Sequence, residues 1–275
     1  ITGTAFAIHS NGYIATNYHV VEGQDDFMIK GVNGEFLKSY PAIVVKVDKN
    51  NDLAILKVNK NLGTIPYGFK KEKLDVGSNV YAYGYPLRDV LGNELKLTEG
   101  IINSNSGLDN DPRWYQHTAT IHPGNSGGPL FNKYGNIIGI NNAGINNEEV
   151  RKVYGTETTN INYAIKSRYL LNLIEDLELN LSSNSGIDQF NITSQFKQIR
   201  TFVYIIEGSK TKKGNRPSYV KAAKPEQAIP LYEGFVKLED LDEKMKKEPR
   251  KVMIYFYREG CPYCKEMKET TLVDP

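Results

Sequence analysis

Phe6-Ala7-Ile8-His9-Ser10-Asn11-Gly12-Tyr13-Ile14-Ala15-Thr16 reads as two short apolar strands around a turn dipeptide. Asn-Gly supplies the positive φ angles that a two-residue hairpin needs, so the stretch predicts an antiparallel pair. The same pattern continues outward. Asn33-Gly34 and Tyr134-Gly135 mark two more reversals, and strand candidates follow at residues 42–47, 53–58, 80–83, 95–101 and 136–140. From Thr4 to about Tyr163 no helical period is sustained. Many short strands without helices between them predict an all-β unit, either barrels or a sandwich. The first helix is expected late, where Leu170, Leu173, Ile174 and Leu177 recur at spacings of three and four behind Ser167, a residue type that caps helix starts.

Composition narrows the function classes. The chain has 275 residues, 40% apolar and 24% charged, and its 34 Lys+Arg against 32 Asp+Glu leave a net charge of only +2. No charge excess points to a nucleic-acid or anionic-membrane partner. The longest apolar runs, such as 252–257, fall far short of the roughly 18 residues that a membrane helix needs, so no membrane span is expected. Two cysteines cannot build a disulfide framework, and the fold must rest on its apolar core. His9, His117 and His122 lack metal-ligand spacing, so no metal and no cofactor are expected. The start at Ile1, without Met or an apolar leader, reads as a removed targeting segment or an excised piece.

The chemistry is concentrated in Pro123-Gly124-Asn125-Ser126-Gly127-Gly128-Pro129-Leu130. A serine hydroxyl is a weak nucleophile until a base takes its proton, and the developing oxyanion needs donors already aimed at it. Glycines beside Ser126 allow two amides, those of Gly124 and Ser126, to point into one spot. A base and an orienting carboxylate are also present in suitable settings. His19 stands in Thr16-Asn17-Tyr18-His19-Val20-Val21 after a strand, and Asp52 stands in Asn51-Asp52-Leu53-Ala54-Ile55-Leu56 at a strand entry. Separations of 33 and 74 residues let the three meet only if two successive β units face one another across a cleft. Asp48 is the competing carboxylate, but the Lys-Asn-Asn that follows reads as a solvated turn.

Residues 3–178 resemble the chymotrypsin-like serine proteases of the bacterial HtrA/Deg branch. The resemblance is carried by Gly3-Thr4-Ala5-Phe6, the His19 and Asp52 segments, Tyr83-Gly84-Tyr85-Pro86, Thr98-Glu99-Gly100-Ile101, the Ser126 loop and Ile138-Gly139-Ile140-Asn141. It implies two six-stranded antiparallel β-barrels with a C-terminal helix, and an active site between the barrels. The catalytic residues carried over are His19, Asp52 and Ser126, with Gly124 and Ser126 as the oxyanion hole and polypeptides as substrates. The strand that precedes Gly3 in the family is missing here. Asn125 stands where digestive relatives carry the Asp that pairs with a newly freed amine, so activation of that kind is not expected. The resemblance places the base of the specificity pocket at Thr120 and its wall at Ile140, Asn141, Asn142 and Ala143. With no charge at Thr120 and no His at Asn141, a small or medium apolar side chain is the expected preference. No PDZ-like segment follows residue 178, so oligomeric state is left open, and an extracytoplasmic location is implied by the resemblance alone.

The polar stretch 180–186 predicts a boundary. The expected organisation is a trypsin-like unit at 1–180, an ill-defined linker at 181–236 containing one strand at 201–206, and a further piece at 237–275. In that piece a helix and a strand precede Cys261-Pro262-Tyr263-Cys264, which is similar to the glutaredoxin tetrad and to the start of a thioredoxin-like domain. Only 11 residues follow Cys264. The readings are an incomplete thioredoxin-like α/β segment with Cys261 and Cys264 as a redox pair, a structural CxxC, or half of a zinc site completed by another chain. Two alternatives to a peptidase stand beside it: an inactive binding scaffold of protease shape, and a fusion whose main activity is thiol–disulfide exchange.

Overall fold

The computed structural model of the chain describes residues 1–143 and 161–210. Strands β1 (Thr2–His9), β2 (Tyr13–Thr16), β3 (Asp26–Val32), β4 (Glu35–Asp48) and β5 (Leu53–Val58) make most of a first barrel. A second barrel follows from β7 (Asn79–Gly84), β8 (Lys96–Ser104), β9 (Trp114–His117), β10 (Pro129–Asn132), β11 (Asn136–Asn142) and β12 (Asn162–Lys166). It closes through the β10–β11 pairing, and the short β6 (Gly68–Phe69) adds in parallel to β11. The sixth place of the first barrel is taken by β13 (Val203–Ser209), antiparallel to both β1 and β3, with Thr2 opposite Glu207 and Ile205 opposite Lys30. The sixth strand of this barrel thus comes from about 200 residues after β1 in the chain.

That pairing corrects the boundary expected at residue 180. A strand leaves two rows of unpaired N–H and C=O groups, and β1 and β3 would each keep an open edge without β13. The linker also contains α4 (Ile192–Ile199), capped by the Asn191 side chain accepting from Ser194 N–H at 2.9 Å, which leads into β13. The late helix is shorter than its periodicity suggests: α3 spans Ser167–Leu173, and Ile174 leaves helical geometry before a 3-10 turn at Glu175–Leu177. Ser167 does not cap it, because its hydroxyl donates to the Lys70 carbonyl. Two further short helices, α1 (Tyr18–Val21) and α2 (Arg88–Leu91), lie in loops.

Alternation places the core. Inward residues of the first barrel, among them Ile14, Ile29, Leu56 and Ile206, form one buried cluster; Val80, Ile102, Leu130 and Ile138 form another inside the second. A third cluster joins the barrels, with Phe6 and Ile55 from one side and Tyr83 and Phe131 from the other. Tyr83 and Phe131 meet edge to face at 5.0 Å, and the buried Tyr67 donates its hydroxyl to Ala7 C=O at 2.7 Å. Each such buried ring contributes about 1.5–3 kcal/mol of hydrophobic stabilisation. The barrels are thus held at a fixed separation, and the loops that carry His19, Asp52 and Ser126 face the same junction. Cys261, Cys264 and the rest of 211–275 lie outside the described residues.

Candidate active site

His19 sits on α1, a single helical turn anchored by the buried Val20 and Val21. Asp52 opens β5 in the left-handed region at φ 50, at the end of a turn that Asp48 shapes by accepting from Asn51 N–H at 3.0 Å and Asn51 Nδ2 at 2.6 Å. Asp48 is therefore a loop organiser. The α1 entry is fastened to Asp52: Tyr18 N–H and Asn17 Nδ2 both donate to the Asp52 carbonyl, at 3.1 and 3.0 Å.

The Asp52 carboxylate accepts in three directions. His19 N–H reaches Oδ1 at 2.8 Å, His19 Nδ1 reaches Oδ2 at 2.7 Å, and Asn142 Nδ2 reaches Oδ2 at 2.7 Å. An ionised carboxylate only accepts, so Nδ1 carries the ring proton and Nε2 keeps its lone pair. Asn142, placed by the sequence in a pocket wall, spans from the end of β11 to the acid of the opposite barrel. Its register on β11 decides this, and nothing in its local sequence announces it.

Ser126 is buried in the loop before β10 and is held against the first barrel by backbone contacts. Its carbonyl accepts from Thr4 N–H at 2.9 Å. The next residue, Gly127, is at φ +84, and a Cβ there would lie 2.0 Å from Thr16 Oγ1 and 2.2 Å from the Thr4 carbonyl. Only glycine lets the two loops come so close. The Ser126 hydroxyl accepts from Ala143 N–H at 3.1 Å, and among the described residues no hydrogen bond joins it to the His19 ring.

The turn ahead of Ser126 is closed by Asn125 N–H donating to His122 C=O at 2.9 Å, with Gly124 at φ +101, as a type II turn demands. The Pro123 carbonyl accepts from Leu87 N–H at 2.9 Å and the Asn125 carbonyl from Gly128 N–H at 2.9 Å. In a planar trans peptide the N–H points opposite to the C=O. Fixing these two carbonyls therefore directs the Gly124 and Ser126 N–H groups away from the protein atoms that hold them. The Gly124 carbonyl is held in turn by the fully buried Thr4, whose hydroxyl donates to it at 2.6 Å and accepts from Tyr85 N–H at 3.0 Å. Thr4 escapes sequence reading because a threonine in a strand is ordinary.

The remaining candidates are placed as follows. Thr120 is exposed, and its carbonyl accepts from Thr98 Oγ1 at 2.7 Å. Ile140 is buried in the cluster between the barrels, and the buried Asn141 donates from Nδ2 to Pro129 C=O at 3.1 Å. Ala143 is half-buried above Ser126. Asn125 is buried against Gly84, and His117 is fully buried on β9. Among the described residues no cluster of His, Cys, Asp and Glu is gathered that could hold a metal ion.

The family profile of the trypsin-like peptidase domain matches residues 3–140, half of the chain, and the chain belongs to that family. Several of its relatives are DegP-like serine endoproteases. A probable periplasmic serine endoprotease, DegP-like, of Halomonas elongata is 43% identical over 143 residues, which are 50% of this chain and 28% of that protein. The uncharacterised protein y4bJ of Sinorhizobium fredii is 36% identical over 168 residues, 61% of this chain and 26% of its own. The crystal structure of the serine endoprotease from Yersinia pestis aligns with a TM-score of 0.51 at 31% identity, covering 64% of this chain and 57% of that one. The chain thus spans little more than a quarter of the length of the curated relatives it matches.

Proposed function

We propose that this chain is a serine endopeptidase that hydrolyses peptide bonds of polypeptide substrates through Ser126, His19 and Asp52. The observation that carries the reading is the Asp52 carboxylate, which collects the ring and backbone N–H groups of His19 and so leaves Nε2 as the base. The Ser126 hydroxyl rotates from Ala143 towards the imidazole and attacks the scissile carbonyl as Nε2 accepts its proton. The Gly124 and Ser126 N–H groups donate to the oxyanion. His19 then protonates the leaving amine, and water repeats the sequence on the acyl-enzyme. Thr120, exposed and uncharged, supports a pocket for small or medium apolar side chains. The periplasmic relatives support an extracytoplasmic place of work, which fractionation of producing cells tests.

A fluorophosphonate probe and a peptide library form the test. Wild type should be labelled rapidly and cleave after apolar residues, while Ser126→Ala should do neither and keep its fold. Hydrolysis undiminished in Ser126→Ala refutes the assignment. The binding-scaffold reading draws on one observation, the bond from Ala143 N–H to the Ser126 hydroxyl, and a wild type that stays unlabelled would select it.

A further inference from the structure

Strand β13 also reaches the second barrel, at the segment that carries Leu87. Leu87 N–H holds the Pro123 carbonyl at 2.9 Å, and Leu87 itself is left-handed, at φ 43 and ψ 50. That conformation disfavours a side chain with a Cβ, so the neighbouring contacts must hold it. Both flanks of Leu87 are tied to β13. The Tyr85 hydroxyl donates to Val203 C=O at 3.0 Å, and Arg88 Nη1 meets Glu207 Oε1 at 2.7 Å while its Nε donates to Asn93 Oδ1 at 3.0 Å. The second oxygen of Glu207 serves a different partner, Lys30 of β3, at 2.8 Å.

We infer that Glu207 is a positioning residue for hydrolysis: through Arg88 it holds Leu87 in place, and the Leu87 amide aims the Gly124 N–H at the oxyanion. The inference rests on the peptidase reading above. Without the Glu207 anchor, Leu87 relaxes to an ordinary φ, its N–H leaves Pro123, and the Pro123–Gly124 peptide is free to turn. A donor lost from the oxyanion site costs transition-state stabilisation and leaves substrate binding largely intact. Lys30 supplies the internal control. It pairs with the same carboxylate through the other oxygen and has no contact with the Leu87 segment among the described hydrogen bonds and ion pairs.

The test uses the full chain and a fluorogenic peptide that the wild type cleaves. Glu207→Ala and Arg88→Met should each lower kcat about tenfold with KM within twofold, a fraction of what losing a whole donor costs. The double variant should fall no further than either single one, because both break one linkage. Lys30→Met should keep kcat within twofold even where it lowers the unfolding midpoint as much. Equal losses of kcat in Lys30→Met and Arg88→Met, or none in Arg88→Met, overturn the inference. A second arm needs no turnover: in the Ser126→Ala background, Glu207→Ala should speed hydrogen exchange of the Leu87 amide at least tenfold, and an unchanged rate overturns it. A wild type without hydrolysis contradicts the peptidase reading, and the exchange arm still decides whether Glu207 holds Leu87.

Discussion

Thr4→Val isolates one hydroxyl while keeping the shape of the side chain. Thr4 is fully buried on β1, and its Oγ1 both donates to Gly124 C=O at 2.6 Å and accepts from Tyr85 N–H at 3.0 Å. Valine fills the same space and answers neither group. Its backbone keeps the bonds to Ser126 C=O and from Thr16 Oγ1. The buried Tyr85 N–H and the half-buried Gly124 C=O are then left without partners; at about 1–3 kcal/mol for a buried group and less for one that water reaches, stability should fall by about 1–4 kcal/mol. Urea unfolding of the full chain measures this, with Thr4→Ser as the control that retains the hydroxyl. Since the Gly124 carbonyl is one of the groups released, kcat on a peptide substrate should fall as well, with KM little changed. A Thr4→Val chain within about 0.5 kcal/mol of wild type, below the cost of even one orphaned group, refutes the reasoning.

Other expectations follow from the same contacts. Asp52→Asn should lower kcat about 10⁴-fold, because an amide no longer enforces the tautomer that leaves Nε2 free; single-turnover kinetics read this directly. Asn142→Ala removes one of the three donors on that carboxylate and should cost about tenfold in kcat, which Asn142→Ser should partly restore. Burial pushes His117 down from the ordinary 6.5 to about 4. The folded state therefore favours the neutral ring: its contribution is complete above pH 6.5 and is lost as pH falls towards 4, by about 3 kcal/mol in all. Urea midpoints at pH 7 and pH 4.5 should show that loss, and His117→Leu should flatten it.

Much of this architecture is legible locally. The hairpin at Asn33-Gly34 and the strand at Leu53–Val58 depend on turn chemistry and period within a few residues. Ser126, His19 and Asp52 stand out because their neighbours match a known order, and the loops of His19 and Asp52 do meet. What escapes is whatever depends on a distant partner. Residues 201–206 announce a strand, found at 203–209, but nothing near them names β1 and β3 as its neighbours. Asn142 reads as a wall residue until its register on β11 turns it to Asp52. Leu87 gives no hint of its left-handed backbone, since the cost is local and its compensation comes from Glu207, 120 positions on.

The late arrival of β13 also sets a timetable for biosynthesis. At about 5–20 residues per second, a ribosome needs roughly 8–30 s to go from Val58, the end of β5, to Ser209, which completes the wall. Throughout that interval the nascent first barrel is an unsealed cylinder, with β1 and β3 offering bare rims to any extended peptide nearby. A cleft assembled in this order is finished only after nearly all of the described chain has been translated, when the second barrel is already made.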